Sequence, residues 1–372
     1  MPPKGYAAPE VAQTYTRARQ LCQHLEDPQQ LFPVLRGLWN YYLVRAELQT
    51  AHTLGEQLLA LAQQAQDSAM LVAAHRALGT TLSFLGAPAS AHTHLAQGIV
   101  LYDPQQHHAA TVLYGEDAGV ICHSIGAWTL WCLGYPDQGL ARNDEAVTLA
   151  QQSANPFSLA YALSIAAWFH QLRRDGQAAQ ECAEAALSLA TEQGFPYWRA
   201  MGSLLYGWAL AHWGPAGEGL EQMHQGLIAF RATGAELHGP YCLALLAEVH
   251  GIMGQPEAGL TVLAEALTLA ETTGYRWYDP ELHRLKGVLL LQRSADNHVE
   301  AQACFHRALD IARSQQAKSL ELRAATSLSR LWQHQGKHNE ARQLLAEVYG
   351  WFTEGFDTPD LREAKALLDE LA

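Results

Sequence analysis

The sequence predicts an all-α fold: a right-handed superhelical solenoid of about eight helical hairpins, repeating every ~40 residues. Three observations carry that expectation. Glycine loops recur as LGAPASA (85–91), LGYPDQG (133–139), WGPAGEG (213–219), MGQPEAG (253–259) and QGKHNEA (335–341). A small residue stands five positions after each loop glycine. Traced through the chain, that position gives Ala51, Ala91, Gly139, Ala179, Gly219, Gly259, Ala301 and Ala341, in steps of 40, 48, 40, 40, 40, 42 and 40. Between the loops, apolar residues recur three and four apart with Ala and Leu dominant, and the alternation of β-branched residues that marks strands is missing.

The elements follow in chain order. Residues 1–30 hold one helical pattern, PEVAQTYTRARQLCQHL (9–25), in the phase of a second helix. It reads either as the orphan of a truncated repeat or as an atypical N-terminal cap. Its apolar face (Val11, Tyr15, Ala18, Leu21, Cys22) is then half covered, which leaves self-association or an upstream domain to cover it. Residues 31–348 form the solenoid. Within each unit a first helix such as YALSIAAWFHQL (161–172) leads to a second such as AAQECAEAALSLATEQG (178–194). Asn155-Pro156, Phe195-Pro196, Gly239-Pro240 and Asp279-Pro280 open first helices, where the first turn tolerates proline. The 48-residue step marks an insert near 101–120. Residues 349–372 end in a helix apolar at Leu361, Ala364, Leu367, Leu368 and Leu371 and charged opposite, the pattern a capping helix needs.

Small residues also fall where the two helices of a hairpin cross: Gly79, Ala127, Ala167, Gly207 and Ala247. Together with the small residues of the second helices they resemble the tetratricopeptide repeat, with a period of 40 instead of 34 and an incomplete aromatic consensus. Stretches such as LRGLWNYYLVRAELQTA (35–51), KSLELRAATSLSRLW (318–332) and YGWFTEGFDTPDLREAKALL (349–368) are similar to the C-terminal region of large bacterial proteins that join a class III nucleotide cyclase, a STAND-type ATPase and a repeat solenoid. The resemblance implies a sensor or scaffold module, with ATPase and cyclase domains upstream in the same polypeptide as partners. It transfers no catalytic residue.

Composition narrows the function. Lys plus Arg is 24 against 37 Asp plus Glu, a net charge of 24 − 37 = −13, which disfavours nucleic-acid binding. No apolar run approaches the ~20 residues of a membrane span, and MPPKGYAAPEV is no signal peptide. Six scattered cysteines without a CxxC pair suit reduced thiols in the cytoplasm. No phosphate loop, HExxH, GxSxG or kinase signature occurs, so neither an enzyme nor a cofactor is expected. His107 and His108, near Asp103, Glu116 and Asp117 in the insert, offer the rival reading of a metal or small-molecule receptor or enzyme fragment. Their spacing matches no zinc pattern, and no metal site is assigned. His170 and His250 share one repeat phase, which suggests burial.

The candidate site is the concave wall. Trp128, Trp168 and Trp208 stand forty residues apart, each after a small residue, in the phase that resembles the inner face of tetratricopeptide repeats. Trp131, Tyr161 and Tyr241 belong to the same wall. Arg36 and Arg76 flank it at one end, and Lys286, Arg293, Arg323 and Arg330 at the other. An aromatic middle with basic flanks would take a protein or peptide carrying acidic or C-terminal carboxylate groups. The competing explanation is that the tryptophans fill a repeated core, since one residue of phase error rotates a side chain ~100° around its helix.

Overall fold

The computed structural model describes residue 7, residues 9–22 and residues 28–372. Among these residues it contains nineteen α-helices and no strand. After α1 (Pro9–Cys22) come eight hairpins: α2 (Pro28–Val44) with α3 (Leu48–Ala65), α4 (Ser68–Phe84) with α5 (Pro88–Leu101), α7 (Ala118–Cys132) with α8 (Pro136–Gln152), α9 (Pro156–Arg173) with α10 (Gly176–Glu192), α11 (Pro196–Trp213) with α12 (Ala216–Ala232), α13 (Gly239–Ile252) with α14 (Pro256–Thr273), α15 (Asp279–Arg293) with α16 (His298–Gln315), and α17 (Lys318–His334) with α18 (His338–Tyr349). A short α6 (His108–Tyr114) occupies the insert, and α19 (Pro359–Glu370) follows the last hairpin. No helix of the described residues is long and apolar enough to cross a membrane.

Local chemistry sets the helix ends. Asp67, Asp117, Asn155 and Asp175 cap α4, α7, α9 and α10 by accepting from backbone N–H groups of the first turn. Proline stands in the first turn of α5, α8, α9, α11, α13, α14, α15 and α19. Within a hairpin the two helices cross at small residues. A Cβ built on Gly219 would lie 2.5 Å from the Gly207 carbonyl oxygen and from the Ala211 nitrogen, so α11 and α12 touch backbone to backbone. At the ends of the stack, Tyr15 of α1 lies over Gly37 of α2, and α19 buries Leu361, Ala364 and Leu367, with Leu371 buried just beyond its end. The side chains of Leu21 and Cys22 lie outside the described residues.

The winding is tight. The carbonyl of Val44, at the end of α2, accepts from Glu236 and Leu237 (2.9 and 3.2 Å) just before α13. That of Phe84, at the end of α4, accepts from Arg276 and Trp277 (2.9 and 3.4 Å) before α15. Trp131 of α7 accepts from Ser319 Oγ of α17 (2.5 Å), and Leu172 of α9 from Arg323 of α17 (2.5 Å). From α2 to α13, α4 to α15 and α7 to α17 is five hairpins each time, so one superhelical turn takes about five repeats and successive turns touch.

Candidate functional site: two axial cavities

One repeat position organises the interior. The residue after the small crossing residue of the first helix is Thr80, Trp128, Trp168, Trp208, Glu248, Val288 and Arg330 from the second hairpin onward, and the matching position of α2 is Asn40, which follows Trp39; the spacings from Asn40 are 40, 48, 40, 40, 40, 40 and 42. These side chains mark the superhelix axis. In the middle they are tryptophans, and there the axis is closed. Trp128 and Trp168 pack at 5.0 Å between ring centres, Trp168 meets Tyr241 at 4.6 Å, and Trp128 meets Trp277 at 4.5 Å. Phe84 at the end of α4, with Tyr275 and Tyr278 from the adjoining turn, completes the plug.

A cavity opens on each side of this plug. The helices α9 and α11 line both, with their first turns on one side (Phe157, Tyr161, Tyr197, Trp198) and their last turns on the other (Gln171, Arg174, Trp208, His212). The cavity beyond the last turns encloses about 590 Å³ and is walled by α13, α15, α17 and α19 as well. Its surface is charged and internally balanced. Four guanidiniums (Arg174, Arg284, Arg323, Arg330) face four carboxylates (Glu248, Glu281, Asp360, Glu363). Arg323 Nε donates to Asp360 at 2.8 Å, Arg284 Nη2 donates to Glu281 at 2.7 Å, and Arg174 pairs with Glu363 at 2.8 Å. Burial alone would raise the Glu248 carboxyl. The ion pair with His212 and the bond from Trp208 Nε1 (2.8 Å) outweigh it and hold it down at about 2. The other cavity, about 320 Å³, is mostly apolar.

Against this geometry the sequence-predicted wall divides. Trp128, Trp131, Trp168, Trp208 and Tyr241 are 2% exposed or less, so they are core and not an open aromatic groove, although Trp208 also borders the larger cavity. Trp128, Trp168 and Tyr241 pack on one another and on Trp277 of the next turn, which leaves no open groove at their positions. Trp208, Arg323 and Arg330 line the larger cavity, whereas Arg76 and Tyr161 line the smaller one. The basic flanks are not free positive charge. Arg36 and Arg76 both bind Glu116 of the insert, Arg76 Nη1 at 2.8 Å. Arg330 pairs with Glu363 at 3.4 Å, and Lys286 turns toward Glu300 of α16 at 3.6 Å. Arg293 is exposed and lines neither cavity. In the larger cavity, with four guanidiniums against four carboxylates, an acidic ligand therefore meets no surplus from these side chains.

The insert spends its polar groups on the fold. His107 Nδ1 accepts from the Asp103 N–H at 3.1 Å, which leaves Nε2 to donate to Ser68 Oγ at 3.1 Å. Asp117 caps α7 and accepts from the Tyr102 hydroxyl at 2.7 Å. Among the described residues no group of three or more His, Cys, Asp or Glu side chains is placed to hold a metal ion. His170 and His250 are buried. Sequence reasoning named Glu116 only as a neighbour of the insert histidines, not as the partner of Arg36 and Arg76, and it missed the Glu248–Arg284–Glu281 cluster and Trp277. The segment YRWYDP (275–280), dense in aromatics before a helix-opening proline, was the available signal for the last.

No family model matches the chain. An uncharacterized protein of Rhizobium meliloti (strain 1021) is 23% identical over 330 residues, 88% of this chain; the chain spans about a third of that relative's length (32%). Among solved structures, a Rap protein complexed with competence and sporulation factor is similar at TM-score 0.56 and 12% identity, covering 91% of this chain and 97% of its own. Cut9 in the APC/C Cut9–Hcn1 hetero-tetramer reaches TM-score 0.55 at 12% identity, with 99% and 60% covered. Aspartyl phosphate phosphatase F from Bacillus subtilis reaches 0.50 at 11%, with 93% and 90% covered. The chain shares the fold of tetratricopeptide-like helical solenoids.

Proposed function

We propose that this chain is a non-catalytic protein- or peptide-interaction module, a sensor or scaffold within a larger cytoplasmic signalling polypeptide, and that its ligand seats in the larger axial cavity. The observation that carries the reading is the cavity itself. Four successive axial positions, Trp208, Glu248, Val288 and Arg330, line one continuous concavity of about 590 Å³. Its rim carries exposed apolar and hydrogen-bonding groups together: Trp213 (55% exposed), Ile252 (48%) and Gln292. Such a surface suits a peptide whose backbone uses the polar groups and whose side chains use the apolar ones. Two neighbours in fold were solved with a bound factor and in a protein assembly, which supports the same reading. That the chain spans about a third of its relative supports further domains, for which an ATPase and a nucleotide cyclase are the proposed partners.

The test is selection of binders from a random peptide library displayed against the whole chain, followed by titration on two variants. Val288→Arg fills the cavity from a half-buried axial position, and Ile228→Ser alters an exposed residue of the outer helix α12. Selected peptides should lose at least about tenfold in affinity on Val288→Arg, a typical loss for a hot-spot contact, and none on Ile228→Ser. Equal binding to Val288→Arg would overturn the placement.

A further inference from the structure

Two of the four carboxylates in the larger cavity, Asp360 and Glu363, come from the C-terminal helix α19. Three apart in sequence, they lie on one face of that helix. Glu363 pairs with Arg174 at 2.8 Å and with Arg330 at 3.4 Å, and Asp360 with Arg323 at 2.8 Å and with Arg174 at 3.2 Å. The three guanidiniums form a row from the end of α9 and from α17, and its counter-charges belong to a separate, terminal element. Arg323 has further anchors in the Leu172 carbonyl (2.5 Å) and Glu281 (3.6 Å). Among the described residues, Arg174 and Arg330 have no other carboxylate partner in the cavity. Without the α19 carboxylates, four guanidiniums would face Glu248 and Glu281 alone, a surplus of two positive charges from these side chains (4 − 2 = 2).

Two observations mark the row as built for an anion and the charges now on it as exchangeable. First, Arg174 stands forty residues after Gly134 (174 − 134 = 40), at the loop position that is Gly86, Gly134, Gly254 and Gly336 in other repeats. Its φ is +58°, in the left-handed region that those glycines share, where a Cβ is crowded. Glycine would relieve the crowding. Arginine at the same place bears it and brings a guanidinium to the cavity, and strain of this kind gathers at functional positions. Second, the side chains of Arg174, Arg330 and Glu363 are 41%, 53% and 37% exposed, and ion pairs this open to water contribute little. The helix that carries Glu363 has twelve residues, a length that is marginal for a helix on its own.

We propose that Arg174, Arg323 and Arg330 dock an acidic helical segment of the partner, with two carboxylates one turn apart, and that α19 occupies the row as a built-in competitor until such a segment displaces it. The inference rests on the reading of this cavity as a peptide site, and it names the chemistry of the peptide and its control. An acidic partner meets no surplus charge while α19 is seated and a surplus of two once it leaves.

Fluorescence anisotropy of a labelled synthetic peptide with the sequence of residues 357–372 tests the proposal on the whole chain. Wild type should bind it weakly, because the tethered α19 competes at high effective concentration. Asp360→Asn combined with Glu363→Gln leaves the apolar face of α19 intact and should strengthen binding at least tenfold. The peptide carrying the same two changes should show no such gain. Adding Arg174→Gly to the double variant gives this loop the glycine of the other repeats. It should abolish the gain without lowering the melting temperature, a pair of results that a merely structural arginine would not produce. Equal affinity of wild type and the double variant, a gain that survives Arg174→Gly, or equal binding of the neutralised peptide would each overturn the proposal. Library peptides that still weaken on Val288→Arg in that event would leave the cavity reading standing, so the two failures are told apart.

Discussion

His238 sits where the plug meets the smaller cavity, with Phe84 at 5.3 Å and Trp168 at 5.0 Å between ring centres and Tyr197 as its hydrogen-bond partner. Burial disfavours the imidazolium and pushes its pKa from 6.5 down to about 3. Between those values the unfolded chain binds a proton that the folded chain does not. The His238 contribution is therefore fully present above pH 6.5 and is lost as pH falls toward 3. We expect wild type to lose stability faster than His238→Gln on acidification through this window, with slopes differing by up to about 1.4 kcal/mol per pH unit. Urea midpoints of both proteins at a series of pH values check it, and parallel slopes would refute it. At this scale the sequence was legible in phase but not in exposure. Residue counting placed Trp128, Trp168 and Trp208 on the axis-facing stripe, because a repeat fixes direction around each helix. Whether an axis-facing ring meets ligand or core depends on how tightly the stack winds. That is set by contacts such as Phe84 with Trp277, some 190 residues apart (277 − 84 = 193), on which local periodicity is silent.

Helix pairing was the most readable level, because it rests on residues that must be small. Gly219 shows the physical reason. An added methyl would meet backbone atoms of α11 at 2.5 Å, and backbone cannot swing aside. Gly217, two residues earlier on the same helix, is exposed and has nothing within 4 Å of an added Cβ. Gly219→Ala should therefore destabilise by about 1–3 kcal/mol as an overpacked contact. Gly217→Ala should stabilise by about 0.5–1 kcal/mol through helix propensity alone. Denaturant midpoints of the two variants measure the contrast, and a loss of equal size in both would remove the close-approach argument. The insert was the least readable element. Its extra length was visible as the 48-residue step, but the role of Glu116, which draws Arg36 and Arg76 together from α2 and α4, was not. An isolated glutamate in a polar stretch carries no local sign that two distant arginines will close on it.

A helical solenoid whose repeats touch only their neighbours unfolds as a one-dimensional array, and damage in one repeat stays local. This molecule departs from that limit, because each superhelical turn rests on the next. The Val44 and Phe84 carbonyls are bonded five hairpins away, and Glu354 near the C-terminus accepts from the Asp137 and Gln138 amides (2.9 and 3.0 Å), capping α8 from another part of the chain. Trp277 sits at the centre of this coupling. It belongs to the loop before α15, is 3% exposed, and packs on Trp128 of α7 at 4.5 Å and Trp168 of α9 at 5.5 Å. Truncation to alanine should cost about 3–5 kcal/mol, the range for a buried aromatic. The spatial pattern of that loss is the sharper test. If the turns are coupled, hydrogen exchange in Trp277→Ala should accelerate in α4, α7 and α9 as well as in α15, although more than 100 residues separate α9 from the mutated site (277 − 173 = 104). Acceleration confined to α13–α17 would mean that the repeats behave as an ordinary linear array and that the plug does not tie the two turns together.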